Sequence, residues 1–246
     1  MPEGLARPRV AGVDGCPGGW IAVIRDVAGD PAPTVRLFPR FADLLRLDPA
    51  PAILAVDMPI GLAERSGLGG RGPERLIRPL LGERQSSVFS VPSRKAVMCE
   101  DYGAACQAAL ETSEPPRKVS RQAFNLFPKI REIDAVMTPE LEARVFEVHP
   151  ELAFWRLNGE MPMSLAKKVR NKGSMPGIEQ RRALLEGFGY APAFWEQKRP
   201  RGVGADDLVD AAVNAVIAGR IFRGEAQSFP GEPARDAKGL RMAIWA

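Results

Sequence analysis

Histidine and cysteine are nearly missing from this sequence. Its 246 residues hold one histidine, His149, and three cysteines, Cys16, Cys99 and Cys106. Three scattered cysteines make no disulfide framework. A single histidine rules out zinc-finger spacing and an HExxH pair, so a structural zinc site is not expected. No apolar run reaches the roughly 18 residues that a membrane helix needs. The opening MPEGLARPRV lacks the apolar stretch of a secretory signal, so the expected setting is the cytoplasm, with no membrane partner. GxxxxGK[ST] and GxSxG are missing as well, which argues against P-loop and α/β-hydrolase chemistry. Aromatic residues make up only 7% of the chain, few for a protein that stacks on unpaired bases. There is no internal repeat and no low-complexity segment.

What is present is ordinary in bulk. Hydrophobic residues account for 45% of the chain, enough for a substantial core, and 34 basic against 30 acidic residues give a net charge of +4. That balance is compatible with an anionic partner without demanding one. Basic residues bunch at Arg65, Arg71, Arg75, Arg78 and Arg84, at Lys167, Lys168, Arg170 and Lys172, and at Lys198, Arg199 and Arg201. Solvated loops carry the same pattern. Any metal has to sit on carboxylates, and oxygen ligands favour Mg²⁺, Mn²⁺ or Ca²⁺.

Read along the chain, the pattern is that of an α/β protein. Val10 to Val13 is a short apolar run ending at Asp14, and a five-residue Gly/Pro cluster leads to a second strand, Trp20 to Ile24. Thr34 to Phe38 reads as a third strand, Phe41 to Leu47 as a short helix, and Ile53 to Val56 as a strand covered on both faces. Between 62 and 140 the texture changes to Arg, Gly and Pro followed by helices over Asp101–Glu111 and Ser120–Asp134, the second capped by Ser120 and kinked at Pro128. Thr138-Pro139 looks like a further helix start. This span reads as an insertion within one domain covering 1–246. Arg144 to Val148 returns to strand character. Lys167 to Gly177 reads as a loop, Ile178 to Gly187 and Ala205 to Phe222 as helices, and Gly239 to Ala246 as a final strand.

Asp14 and Asp57 each close an apolar strand. If those strands are parallel neighbours, both carboxylates leave the sheet at the carboxyl edge, where ligands of open α/β sheets bind. Glu147 and His149 reach the same edge if their strand lies beside that of Asp57, with Glu151 just beyond. Asp207 and Asp210 are three apart and share a helix face, with Asn214 one turn further on. Four carboxylates brought together repel one another, and a divalent cation removes that cost. Two ions bridged by shared carboxylates suit hydrolysis of a phosphate ester. The plainer readings stand beside this one. A strand-end aspartate forms turns, and Asp206 and Asp207 sit where a helix start favours negative charge. His149 is equally a satisfied strand-end residue or a proton carrier. Cys16 lies in a Gly-rich turn with nothing in sequence to lower its pKa.

Six blocks in order, AGVDGCPGGW, LAVDMPIGL, RQSSVFSVPSR, KVSRQAFNLFPKIREID, FEVHPELAF and ADDLVDAAVNAV, resemble the domain-of-unknown-function family 429. Its members are described as predicted nucleases of RNase H fold. The resemblance implies a mixed five-stranded sheet of order 3-2-1-4-5, with strand two antiparallel to the rest. Asp207-Leu-Val-Asp210-Ala is similar to the Asp-x-x-Asp-Ala signature on the last helix of Holliday-junction resolvases. Asp14 is similar to their first-strand aspartate, and Asp57 stands where they carry glutamate. The resemblance thus makes Asp14, Asp57, Asp207 and Asp210 both the catalytic and the metal-holding set, with Mg²⁺ or Mn²⁺ as the cofactor. Glu147, His149, Glu151 and Asp206 are secondary candidates.

Arg84, Ser86, Ser87 and Arg94 suit a phosphate, since arginine forks and hydroxyls match its oxygens. They equally suit holding the inserted segment to the core, and Lys118, Gln122 and Lys129 share that ambiguity. The expected function is a metal-dependent phosphodiesterase or nuclease acting on nucleic acid or a small phosphorylated substrate. The alternatives are a non-catalytic binding protein that keeps a metal site and an actin-like nucleotide-binding phosphotransferase.

Overall fold

The computed structural model describes residues 7–28, 32–169 and 172–246, leaving aside the side chains of Val169 and Lys172. Arg170 and the Lys172 side chain, members of the second basic run, lie outside the described residues.

Valine and isoleucine, stiff at χ1 and at home on a pleated surface, fill two long strands, β1 (Arg9–Cys16) and β2 (Gly19–Asp26). They pair antiparallel from Arg9↔Asp26 to Cys16↔Gly19. Both strands run further than the apolar runs alone suggest, so only Pro17 and Gly18 form the turn. Gly19 makes that tight turn possible: its φ is +123°, and a Cβ there would lie 2.2 Å from the Phe38 carbonyl oxygen.

Strand β3 (Thr34–Phe38) pairs antiparallel with β2, whereas β4 (Ile53–Val56) lies parallel to β1 and β5 (Val145–Glu147) parallel to β4. The sheet order is therefore β3-β2-β1-β4-β5. The strand order matches what the family resemblance implies, and β2 is antiparallel to β1.

Ten helices surround this sheet among the described residues. They are α1 (Phe41–Leu45), α2 (Gly72–Ile77), α3 (Arg94–Val97), α4 (Tyr102–Thr112), α5 (Arg121–Phe124), α6 (Phe127–Val136), α7 (Pro150–Leu157), α8 (Met175–Glu186), α9 (Pro192–Glu196) and α10 (Ala205–Phe222). Alternation along the strands sends Ala11, Val13, Leu54 and Val56 to one face, packed with α3, α4 and α6. Val10, Ile21, Ile53 and Ala55 go to the other, packed with α7 to α10. The 62–140 segment runs between β4 and β5: its later helices cover one face of the sheet, and Ile77, Leu81 and Val88 pack with Leu152 and Trp155 of α7 and with the tail.

Several expectations need correction. The helix over Ser120–Asp134 is two helices, α5 and α6, separated at Asn125–Leu126, because Pro128 falls in the first turn of a new helix and starts it. Ser120 does cap α5, accepting the Ala123 N–H. Thr138-Pro139 opens no α-helix; a 3₁₀ turn, Leu141–Ala143, leads into β5. Helix α8 begins at Met175, three residues earlier than the glycine-rich pattern suggests, with Pro176 in its first turn. The tail forms a two-residue strand, Ile244–Trp245, that pairs with Ser228–Phe229 and meets the sheet edge through a Val148–Trp245 bridge and an edge-on contact of the Trp245 ring with Phe146.

Candidate functional site

The parallel ladder of β1 and β4 ends at Val13↔Val56, so Asp14 and Asp57 are the next residues on adjacent strands. The Asp57 N–H donates to the Val13 carbonyl, which fixes their relative level. Alternation turns both side chains toward the face covered by α10. That helix lies directly on β1. A Cβ on Gly12 would stand 2.0 Å from the Ala215 nitrogen, and buried Asn214 donates to the Val13 carbonyl at 3.0 Å. The first turns of α10 are thereby held over the carboxyl ends of β1 and β4, and Asp207 and Asp210 face Asp14 and Asp57 across one cavity of about 630 Å³.

The four acids act on one another. Burial, then the charges of Asp57, Asp210 and Asp207, hold the Asp14 carboxyl well above the ordinary range. Burial and the Asp210 charge push Asp57 up to about 8, with Lys167 pulling the other way. Asp210 rises to about 6 through burial, against the pull of Lys167. Asp207 is raised by burial, while its Oδ2 accepts the Gly204 N–H at 2.8 Å as a helix cap. The capping reading of Asp207 therefore holds alongside its place in the cluster. Asp210 has no capping duty. Its Oδ2 meets the Lys167 ammonium, and its Oδ1 is buried without a hydrogen-bond partner among the described residues.

Lys167 is the residue that sequence reasoning missed. Its ammonium pairs with Asp210 and lies 3.8 Å from Glu151. Burial works against its charge, yet Asp210, Glu151 and Asp57 hold its pKa above the ordinary lysine value. In sequence it is one of several basic residues in a loop, and only the fold separates it from Lys168, which pairs with Asp206 at 2.6 Å. Glu151 also binds the fully buried Arg181 through both carboxylate oxygens, at 2.8 and 2.7 Å.

His149 and Glu151 line the same cavity, as do Arg84, Ser86 and Ser87. The His149 Nε2 lies 3.4 Å from the Ser87 carbonyl, which only accepts, so a neutral ring bonded there has its proton on Nε2, and the buried Nδ1 has no hydrogen-bond partner among the described residues. Burial lowers the His149 pKa to about 4.

Other candidates lie elsewhere. Glu147 points to the opposite face, where it accepts from Arg71 at 2.5 Å and from the Ile60 N–H at 2.7 Å. Asp206 is turned to Lys168. Arg94 is structural, paired with Asp134 at 2.8 Å and Asp236 at 2.6 Å. Lys118 is exposed and does not line the cavity. Cys16 is buried, and burial raises its thiol pKa, which makes it a poor nucleophile.

The donor chemistry of this cluster fits a hard divalent ion, and the orphaned Oδ1 of Asp210 is an open ligand position. As the side chains stand, no three His, Cys, Asp or Glu groups among the described residues are gathered as a ready cation site. No helix among them is long and apolar enough to cross a membrane.

Fold and site together define an α/β protein with a carboxylate cavity at the carboxyl edge of a mixed sheet. Residues 12–235 match the family described as protein of unknown function (DUF429), and the chain belongs to it. No curated protein and no solved structure gives a significant match.

Proposed function

We propose that the protein is a divalent-cation-dependent phosphodiesterase built on an RNase H-like fold. The observation that carries this reading is the convergence of Asp14, Asp57 and Asp210, from three distant parts of the chain, around one cavity, where the charges of Asp57 and Asp210 raise the Asp14 pKa and that of Asp210 raises Asp57. Acids this close hold protons at neutral pH or hold a cation. Strand order β3-β2-β1-β4-β5 supports the fold assignment.

In this reading Asp14, Asp57 and Asp210 hold Mg²⁺ or Mn²⁺, and Asp207 contributes charge while capping α10. A bound ion of this kind supplies Lewis-acid polarisation of a phosphoryl oxygen. Lys167 would keep Glu151 as its partner with Asp210 given over to an ion. Its ammonium then stands beside the site, where it offsets the charge of an incoming phosphate. Neutral His149 lines the same cavity, and its buried Nδ1 has no hydrogen-bond partner among the described residues.

The test is a screen of the purified protein with Mn²⁺ against single-stranded, duplex and branched nucleic acids and generic phosphodiesters, with Asp210→Asn as control. Cleavage by the wild type alone is expected. Equal rates from both proteins overturn the reading. One observation favours a second reading, a non-catalytic protein in which Lys167 itself neutralises the acids: the ammonium already pairs with Asp210. No Mn²⁺ uptake in calorimetry, with a stability gain in Asp14→Asn, supports that alternative.

A further inference from the structure

The acid cluster occupies only one part of the cavity. Elsewhere its lining comes from the 3₁₀ segment Arg78–Ser87 and the residues after it, with a contribution from α5 and the turn that follows. Arg84 is the cation of this wall. Its side chain is only 15% exposed, and its sole ion-pair partner among the described residues is Glu83, which is 87% exposed. Such a pair to a solvent-facing carboxylate is weak. The Arg84 Nε is buried and donates to nothing among the described residues. The guanidinium itself lines the cavity, and its one hydrogen bond among the described residues goes to Glu83, so it keeps donors for a ligand oxygen.

The segment is fixed in place. The Ser87 hydroxyl donates to the Arg84 carbonyl at 2.8 Å, and His149 meets the Ser87 carbonyl. Met58, Phe89 and Leu126 add an apolar patch to the same lining. Phe89 and Leu126 are only partly buried where they pack on the core, which leaves ring and side-chain surface facing the cavity.

We propose that this cavity takes one nucleotide unit, free or at the end of a single strand, with its phosphate between the acid edge and Arg84 and its base on the Phe89–Leu126 patch. The proposal rests on the cation reading above for the place of the phosphate beside the carboxylates, whereas the contacts to Arg84 and to Phe89 and Leu126 stand without it. A volume of about 630 Å³ is within the roughly 300–1,000 Å³ of small-ligand sites. A duplex, by contrast, presents its phosphates on the outside of a broad rod. It is met by strongly basic faces, whereas this chain has a net charge of only +4.

The proposal is tested by isothermal titration of the full chain with Mn²⁺ present, using AMP, ribose 5-phosphate and a short DNA duplex as probes. AMP is expected to bind with one-to-one stoichiometry, at least about tenfold more tightly than ribose 5-phosphate, and the duplex is expected not to displace it. Arg84→Gln is expected to weaken AMP about tenfold with Mn²⁺ affinity unchanged. Phe89→Ala is expected to abolish the preference for AMP over ribose 5-phosphate. Ser86→Trp, at an exposed lining position, is expected to block AMP, and it serves if Arg84→Gln fails to fold.

Equal affinity for the two phosphates, displacement by the duplex, or AMP binding that survives Ser86→Trp overturns the proposal. Mn²⁺ uptake without AMP binding sinks the nucleotide site alone. The absence of Mn²⁺ uptake, with AMP binding that still depends on Arg84, sinks the cation reading alone.

Discussion

Lys167 brings one positive charge to a group of carboxylates that repel one another. Replacing it with methionine keeps the volume and removes the charge. Breaking a partly buried pair of this kind costs about 3 kcal/mol, so Lys167→Met is expected to melt several degrees below wild type when metal-free. The same variant is expected to bind Mn²⁺ more tightly, since Asp210 no longer has to leave an ammonium. Calorimetric titration checks this, and weaker binding contradicts it.

The pH dependence follows from the raised acids. An acid whose folded pKa exceeds its unfolded value binds more protons when folded, so stability is full below the unfolded value and falls as pH rises through the folded one. With Asp57 at about 8 and Asp210 at about 6, the metal-free melting temperature is expected to fall from about pH 4 to about pH 8. Mn²⁺ is expected to raise it more at the upper end of that window than at the lower, and Asp57→Asn to flatten the fall. Scanning fluorimetry across pH reads both. At this scale the sequence was half legible. Asp14, Asp57 and Asp210 stood out because each breaks an apolar pattern. Lys167 did not, since a lysine in a basic loop has no local mark that it folds inward.

At the scale of elements, the site depends on how closely α10 approaches β1. Gly12 lets the helix backbone touch the strand, and Asn214 hydrogen-bonds the strand end beside Asp14. Gly12→Val is expected to destabilise by about 3 kcal/mol or to misfold, because the obstruction is backbone and cannot rotate away. Asn214→Ala removes one of two donors to the Val13 carbonyl, which keeps the Asp57 N–H, and is expected to cost about 1 kcal/mol. Chemical denaturation measures both. Strands were easy to read where a continuous apolar run stood between turn residues, as at Ile53–Val56. Helix ends within the 62–140 segment were harder. Pro128 is compatible with a kink or with a fresh start, and the choice is made by how α5 and α6 pack on the sheet.

Across the whole molecule, buried arginines tie distant segments together. Arg71, fully buried, joins Glu74 in α2 to Glu147 at the end of β5. Arg94 joins α3 to Asp134 in α6 and to Asp236 in the tail. Asp236 also accepts the Leu62 N–H, so the tail is clamped over the start of the inserted layer. Arg94→Ala is expected to make the 228–246 segment exchange amide hydrogen faster and cut sooner under limited proteolysis, with β1 and β4 unchanged. None of these long-range pairs was legible in sequence, because arginine clusters in surface loops look the same. The fold divides RQSSVFSVPSR: Arg84, Ser86 and Ser87 line the cavity, and Arg94 is part of the scaffold.

The contact at Gly12 also bears on how the site is tuned. Because α10 rests backbone to backbone on β1, the separation of its acids from Asp14 is set by main-chain geometry, with little slack for side chains to absorb. A volume change on the other side of α10, at Leu185 in α8 or at Tyr190, whose hydroxyl donates to the Ala212 carbonyl, is expected to tip the helix like a lever on that fulcrum. The spacing of the acids at the rim then becomes sensitive to packing well away from any carboxylate, and in the proposed cation site so would the choice of ion.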